Sequence, residues 1–426
     1  MALNPEEMKR RRQEKKLQQQ KQAAARKKLL IRVGIAAAVL LLCGIVALVI
    51  ALSSRQPKQP EQPAQTPEST ETQMAQTEAD TDTTVIHIAA AGDLNVTDQT
   101  VAAGGAIYNY TEAFLDVAHL LADADISVVN FEGGLYGDPF GTATASAPQS
   151  MMEALAEAGV DLVQLANSYS INDGVSGLRD TINGVRLAGM EPLGVYPDNA
   201  SFAAGKGFTM RNVDGIKVAF VAFTKGMDGM ALPSGSEKCV NVLYTDYSST
   251  YQKVDTAGIS SVMDAVASAK PDVTVVMVHW GSEFNDTISS SQKKIVELLQ
   301  NKGADAIIGT HSHYVQQMKL NPDTGSFVAY SLGDFFGDAS RAGSEYSVIL
   351  DLEITKDHDT GETKITNFSY TPIFTVTAQD QPSRVVRIHE AMRAYDNLYL
   401  ERVNGATYES MAYALTRIED RIHPEA

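Results

Sequence analysis

The residues from 85 onward predict an α/β domain with mixed sheets, on three observations. Apolar runs of strand type alternate with segments of helical period between 85 and 313, the mark of strand–helix–strand units with parallel pairing. From 314 the runs VQQMKL, FVAYSLGDF, YSVILDLEIT and TKITNFSYTPIFTV follow one another across turn-length breaks such as NPDTGS and KDHDTGET. These read as hairpins, so the later part of the sheet is expected to be antiparallel or mixed. Finally, the runs VTVVMVHW (273–280) and ADAIIGTHSH (304–313) flank a helix-patterned stretch at 291–302, and each ends in histidine-bearing sequence. The C-terminal ends of parallel strands share one rim, which puts His279, with Glu283 just after it, together with His311 and His313 at one sheet edge.

Taken from the start, residues 1–32 carry 11 Lys or Arg against three Glu, a net of +8, while the whole chain is at −17 and the remainder therefore at −25. Residues 33–52 (VGIAAAVLLLCGIVALVIAL) hold no charge over 20 positions, the length of a single transmembrane helix. The basic cluster before it predicts a cytoplasmic N-terminus, membrane attachment through this helix, and an extracellular remainder. A cleaved signal peptide is the alternative; its apolar region is usually shorter and followed by small residues at a cleavage site. The basic segment could also touch anionic lipid headgroups. Residues 53–84 are rich in Pro, Gln, Thr and Glu with almost no large apolar side chains, too little to offset ordering entropy, so they read as a disordered stalk. The acidic remainder repels nucleic acid and excludes it as a partner. Cys43 lies in the apolar span and Cys239 is alone beyond it, so the external part has no intrachain disulfide to form.

The folded domain is expected over 85–382. VIHIAAAGDL (85–94) is a strand entering a glycine turn, followed by helical pattern near 112–123. DISVVNFEG (125–133) is a strand, 149–159 a helix ended by its glycine, DLVQLAN (161–167) a strand, and 174–188 a helix that stops at Gly189. GIKVAFVAFT (215–224) is another strand, 258–269 a helix, and the histidine-bearing pair and the hairpins follow. Residues 383–426 read as a mostly helical C-terminal extension with no chemical signature. No internal repeat is present, and the length suffices for a substantial core.

Chemistry-bearing residues sit at strand ends. Asp93, just past Gly92 in AAAGDLNV, is where an α/β site places a first ligand; a turn or N-cap aspartate would look the same. Glu132 follows ISVVNF, and a carboxylate at a buried strand end is costly unless a cation pairs with it. The bland counterpart is a solvated Glu. Of eight histidines, His279, His311 and His313 close apolar strands. His311 and His313, two apart, face the same way if the segment is extended. A cluster of imidazoles and carboxylates is the usual composition of a transition-metal site, against the alternative of hydrogen-bonded loop histidines.

The order Asp93, Glu132, an Asn-containing loop at Asn167, His279, then His311 and His313 resembles the metal-dependent phosphoesterase superfamily. More closely, it resembles the CapA family of bacterial poly-gamma-glutamate capsule proteins. The matching blocks are AAAGDLN, VVNFEGGLYG, LANSYSINDGVSGLRDTINGVRLAGMEPLGVY, VHWGSEF, Gln292 in the next helix, ADAIIGTHSHYVQ and AYSLGDFF, in order over about 86–338. The resemblance implies a metallophosphoesterase-like sandwich of two mixed sheets flanked by helices, with one or two divalent metal ions at the strand ends. It makes Asp93, His311 and His313 ligands, Glu132 a bridge between the ions, and His279 a ligand of the second. Asn167, in the matching Asn loop, or Asp173 could shift in as a replacement ligand. Two such ions can activate water and clamp an oxyanion.

The chain departs from the family at Ser168 and Tyr169, where the family has Asn and His, at Asn172 in place of Asp, and at Asp334 in place of Asn. Ser is a poor ligand for such ions and Tyr a poor proton donor in a His role. The resemblance thus implies a membrane-anchored protein that binds, exports or processes an anionic cell-surface polymer such as poly-gamma-glutamate, beside possible membrane synthase subunits. A metal-dependent hydrolase and a non-catalytic scaffold with a degenerate site are the alternatives. Lys225 and Arg179 are the basic residues nearest the relevant loops.

Overall fold

The structure, a computed structural model, describes residues 82–339, 341–378, 381–398 and 403–424. These fall in one compact unit, Ala79–Ala426. The basic segment, the apolar span at 33–52 and the stalk up to residue 81 lie outside the described residues. Among the described residues no helix is long and apolar enough to cross a membrane.

In chain order the elements are β1 (Thr83–Asn95), α1 (Asp98–Ala102), α2 (Thr111–Phe114), α3 (Ala118–Ala122), β2 (Ile126–Glu132), α4 (Gln149–Glu157), β3 (Leu162–Gln164), α5 (Gly174–Leu187), β4 (Glu191–Leu193) and α6 (Asn199–Gly205). Then come β5 (Thr209–Val213), β6 (Ile216–Thr224), α7 (Thr256–Ala269), β7 (Val273–His279), α8 (Ser290–Asn301), β8 (Ala306–Thr310), β9 (Met318–Leu320) and β10 (Phe327–Ala329). The last are β11 (Tyr346–Asp357), β12 (Thr363–Ala378), β13 (Gln381–Arg387), α9 (Ile388–Asp396) and α10 (Gly405–Ile422).

The strands form two sheets, ordered β13-β12-β11-β1-β2-β3-β4 and β5-β6-β7-β8-β10-β9. In the first, β1 to β4 pair in parallel and β11 to β13 extend the sheet antiparallel from β1. In the second, β6, β7, β8 and β10 are parallel, with antiparallel β5 and β9 at the edges. Both sheets are mixed, as expected.

Alternation along the strands explains the layering. Val218, Phe220 and Ala222 of β6, with Val275 and Met277 of β7, belong to the large core shared with the first sheet. Their neighbours Val221, Phe223, Val276 and Val278 form a second core with Ile259 and Met263 of α7 and Ile295 and Leu299 of α8. Each of these strands is thus apolar on both faces, which is why it reads as a continuous hydrophobic run. At about 1.5–3 kcal/mol per fully buried large apolar side chain, these faces supply much of the driving force for folding.

Three local expectations are corrected. The helical pattern near 112–123 is two short helices, α2 and α3. Residues 383–387 are strand, the end of β13, and helix begins only at Ile388. β1 starts at Thr83, inside the expected stalk. Gln292, matched in the family block, is the third residue of α8, where it exchanges hydrogen bonds with Ser289 in a capping box. Cys239 is a buried free thiol.

Candidate metal centre

The C-terminal ends of β1, β2, β7, β8 and β10 deliver the site. A bulge at Gly92 shifts the β1–β2 register between Ala91 and Asp93, and bulges re-aim side chains next to functional sites. Glycine is required there because a Cβ would lie 1.8 Å from Gly333 O. That approach lets the Asp93 N–H donate to Gly333 O at 3.0 Å, one residue before Asp334. Glu132 and His279 are the last residues of β2 and β7. β8 stops at Thr310, and His311 and His313 follow with φ of 88° and 59°. Left-handed backbone is uncommon for residues other than glycine and clusters at functional sites.

That backbone overturns the expectation that the two histidines face the same way. They divide between two buried groups whose ligand atoms lie within 4.8 Å of one another: Glu132, His279 and His311 in one, and Asp93, His313 and Asp334 in the other. The His279 and His311 ring centroids are 4.3 Å apart, whereas His311 and His313 are separated by 6.2 Å. Asn130 joins the groups, its Nδ2 donating to Asp93 Oδ1 at 2.7 Å and Glu132 Oε1 at 3.2 Å.

Asn167 belongs to neither group. Its Nδ2 donates to Asn130 Oδ1 and Phe131 O, and its Oδ1 accepts from the Tyr169 N–H. It orients Asn130 and the turn carrying Ser168, whose Oγ is 3.2 Å from His279 Nε2. On its other side His279 Nδ1 is 3.2 Å from Thr310 Oγ1 and 3.4 Å from Glu132 Oε1. Asp334 was not singled out as a ligand from the sequence; its Oδ1 is 2.7 Å from His313 Nδ1. The available signal was its place in the SLGDF block, where a carboxylate replaces an amide. Lys225 follows β6 at the same rim, whereas Arg179 turns away to Pro197 O.

Burial pushes the Asp93 carboxyl up to about 6 and raises those of Glu132 and Asp334. Burial also pushes the His279 and His311 imidazoles well below their usual range, with help from neighbouring cations. At His313 burial acts in the same sense but is outweighed by Asp334, Glu132 and Asp93, which hold its pKa well above the usual value. Burial, then the charges of Glu132, Glu283, Asp228 and Asp338, push the Tyr169 phenol up to about 12.

The residues fit divalent ions. Both ring nitrogens of His311 are buried without a hydrogen-bond partner among the described residues, an arrangement that costs about 1–3 kcal/mol unless something else satisfies them. Neutral imidazole is the ligand form of histidine, and nitrogen with carboxylate oxygen suits transition ions.

The sequence profile of the bacterial capsule synthesis protein PGA_cap family matches residues 87–339, more than half of the chain. The capsule biosynthesis protein CapA of Bacillus anthracis is 26% identical over 209 residues, which cover 49% of this chain and 48% of that protein. The PGA biosynthesis protein CapA of Bacillus subtilis (strain 168) is 23% identical over 215 residues, 50% of this chain and 52% of that one. The chain thus spans about half the length of the curated relatives it matches. Among solved structures, the calcineurin-like phosphoesterase YfkN from Bacillus subtilis aligns with a TM-score of 0.43 and 12% identity over 79% of this chain and 97% of that one. With the family's blocks running in order from β1 through β10, the chain belongs to the bacterial capsule synthesis protein PGA_cap family.

Proposed function

We propose that this protein acts in capsule biosynthesis as a membrane-anchored, outward-facing domain that handles an anionic polymer of the poly-gamma-glutamate type at a divalent metal centre. The observation that carries the reading is the convergence of two buried three-ligand groups at one rim, with both ring nitrogens of His311 lacking a hydrogen-bond partner among the described residues. Glu132, His279 and His311 would hold one ion and Asp93, His313 and Asp334 another. Bound there, divalent cations supply positive charge that draws in and polarises anionic oxygens. The protein's own part is positional: Asn130 and Asn167 fix the carboxylates, and Thr310 and Ser168 fix the His279 ring. The apolar span at 33–52 supports the anchor and the basic residues before it the orientation.

A second reading, metal-assisted hydrolysis of the polymer or of a phosphoester, has a specific feature in its favour. The Tyr169 phenol, held protonated at neutral pH and close enough to feel the Glu132 charge, is a hydrogen-bond donor for a ligand oxygen. The test is metal analysis of the purified full chain after dialysis against micromolar Mn²⁺ or Zn²⁺. One to two ions per chain, reduced in His311→Ala, is expected. No retained ion in the unaltered protein would leave a scaffold without a metal centre.

A further inference from the structure

The rim around the two ligand groups carries two cations, a lysine that faces the charges of Glu283, Glu132 and Asp228 and an exposed arginine. Lys225 is half-buried directly after β6, and its backbone N–H donates to His279 O at 2.8 Å. Its Nζ makes one hydrogen bond among the described residues, to Gly281 O at 3.0 Å, and lies 5.2 Å from the Tyr251 ring centroid. An ammonium has three donors, so two remain for a ligand. Its backbone bond to His279 and its Nζ bond to Gly281 place it beside the first group.

The second cation is Arg341. Its guanidinium lies 4.6 Å from the centroid of Phe284, and that ring stacks on His313 at 4.8 Å with planes 24° apart. Arg341 is exposed and forms no ion pair among the described residues. Stacking on an aromatic face fixes a guanidinium while leaving its N–H edge free. Phe284 is itself held in left-handed backbone, with φ of 51° and its N–H donating to Ser312 O at 2.8 Å. The perch is therefore built into the loop that follows β7.

Lys225 thus stands beside the first group, and Arg341 lies one aromatic ring beyond His313 of the second. The rest of the rim is acidic, with Glu283, Asp228 and Asp338 acting on Tyr169. An anion can approach past these carboxylates only where a cation meets it. Resting on the function proposed above, we infer that Lys225 and Arg341 are the specificity-determining contacts of this site. Together they grip an extended ligand that carries at least two anionic groups, one at each side of the ligand cluster. A chain with regularly spaced carboxylates meets this requirement, whereas a single compact anion reaches one cation only.

The test is calorimetric titration of the full chain in detergent with two probes, a γ-linked glutamate decamer and inorganic phosphate. Variants Lys225→Met and Arg341→Met are compared with Lys225→Arg and Arg341→Lys, and bound metal is measured in every sample. The unaltered protein is expected to bind the decamer, each Met variant to weaken it tenfold or more, and the charge-conserving variants to stay within about threefold. A purely structural role for either side chain would shift thermal unfolding without this charge-dependent split. The inference is overturned if the unaltered protein binds neither probe, or if both Met variants bind the decamer as well as it does. It is also overturned if phosphate binds as tightly as the decamer through Lys225 alone, which would point to a phosphate ester. Decamer binding that depends on both cations in protein without metal would keep this inference and sink the metal centre. Retained metal with decamer binding indifferent to both cations would do the reverse.

Discussion

Replacing Glu132 by Gln separates a metal-binding role from a structural one, because the two give different costs in different samples. The side chain is 3% exposed, with Oε1 at 3.2 Å from Asn130 Nδ2 and 3.4 Å from His279 Nδ1. Gln has the same shape and keeps an acceptor for Asn130, so metal-stripped Glu132→Gln should lose less than about 1 kcal/mol. Were Glu132 instead one half of a stabilising buried ion pair with His279, breaking it would cost about 3–5 kcal/mol in that sample. Metal should reverse the ranking. At a free ion concentration of about 100 Kd, a site in the folded chain alone gains about 2.7 kcal/mol. Removing one charged ligand of three should weaken the site at least as much as the roughly 100-fold lost with outer-shell partners. The gain then falls to about 0.4 kcal/mol at the same metal concentration. Urea unfolding followed by the fluorescence of Trp280, the chain's single tryptophan and next in sequence to His279, reads both numbers. Equal metal-induced stabilisation of the variant and the unaltered protein would refute the assignment of Glu132 as a ligand.

Three further outcomes are expected. Asn130→Ala removes the amide between Asp93 and Glu132 and strands Asn167 Nδ2 with one partner; it should cost about 1–3 kcal/mol and weaken metal binding about 10–100-fold, read by unfolding and by metal titration. In Gly309→Ala the new Cβ would meet Tyr330 O at 1.9 Å and Trp280 Nε1 at 2.6 Å. The variant should therefore lose about 2–5 kcal/mol through overpacking and the broken Trp280–Tyr330 hydrogen bond, and an unchanged melting temperature would contradict the packing described. Asp272 is raised by burial, but bonds from the Lys217 N–H and Lys356 Nζ outweigh this and hold its pKa below 3.8. Its contribution is complete above the unfolded value near 3.8 and is lost as pH falls through the lower folded value. Asp272→Asn should accordingly cost about 1 kcal/mol near neutral pH, and the gap should begin to shrink below about pH 4 and close as pH passes the lower folded value; a gap that does not shrink with falling pH would sink the reasoning.

Much of the site was legible because strand ends are visible in one dimension. An apolar run that stops at a polar residue marks the rim, and Asp93, Glu132, His279 and His311 all follow that rule. Asp334 was harder to read. The stretch 318–335 is a hairpin, as its sequence suggests, but β9 takes the sheet edge and β10 sits between β9 and β8, parallel to β8. Only that placement brings the end of β10, and Asp334 beyond it, onto the histidine rim. The short β5 also escaped, its five residues only partly buried and without a clear alternation of apolar and polar side chains.

The amino-acid order alone determined the layered α/β character, the family and most of the residues that bear chemistry, because these depend on local pattern and on blocks recurring in sequence. Tertiary structure decided how the residues are shared out. His311 and His313 stand two apart, but left-handed backbone at both sends one to Glu132 and the other to Asp334. A dihedral reversal leaves no trace in hydrophobic periodicity, and a partner more than two hundred residues away, such as Asp93 for the His311 N–H, is fixed only when two sheets close on one another.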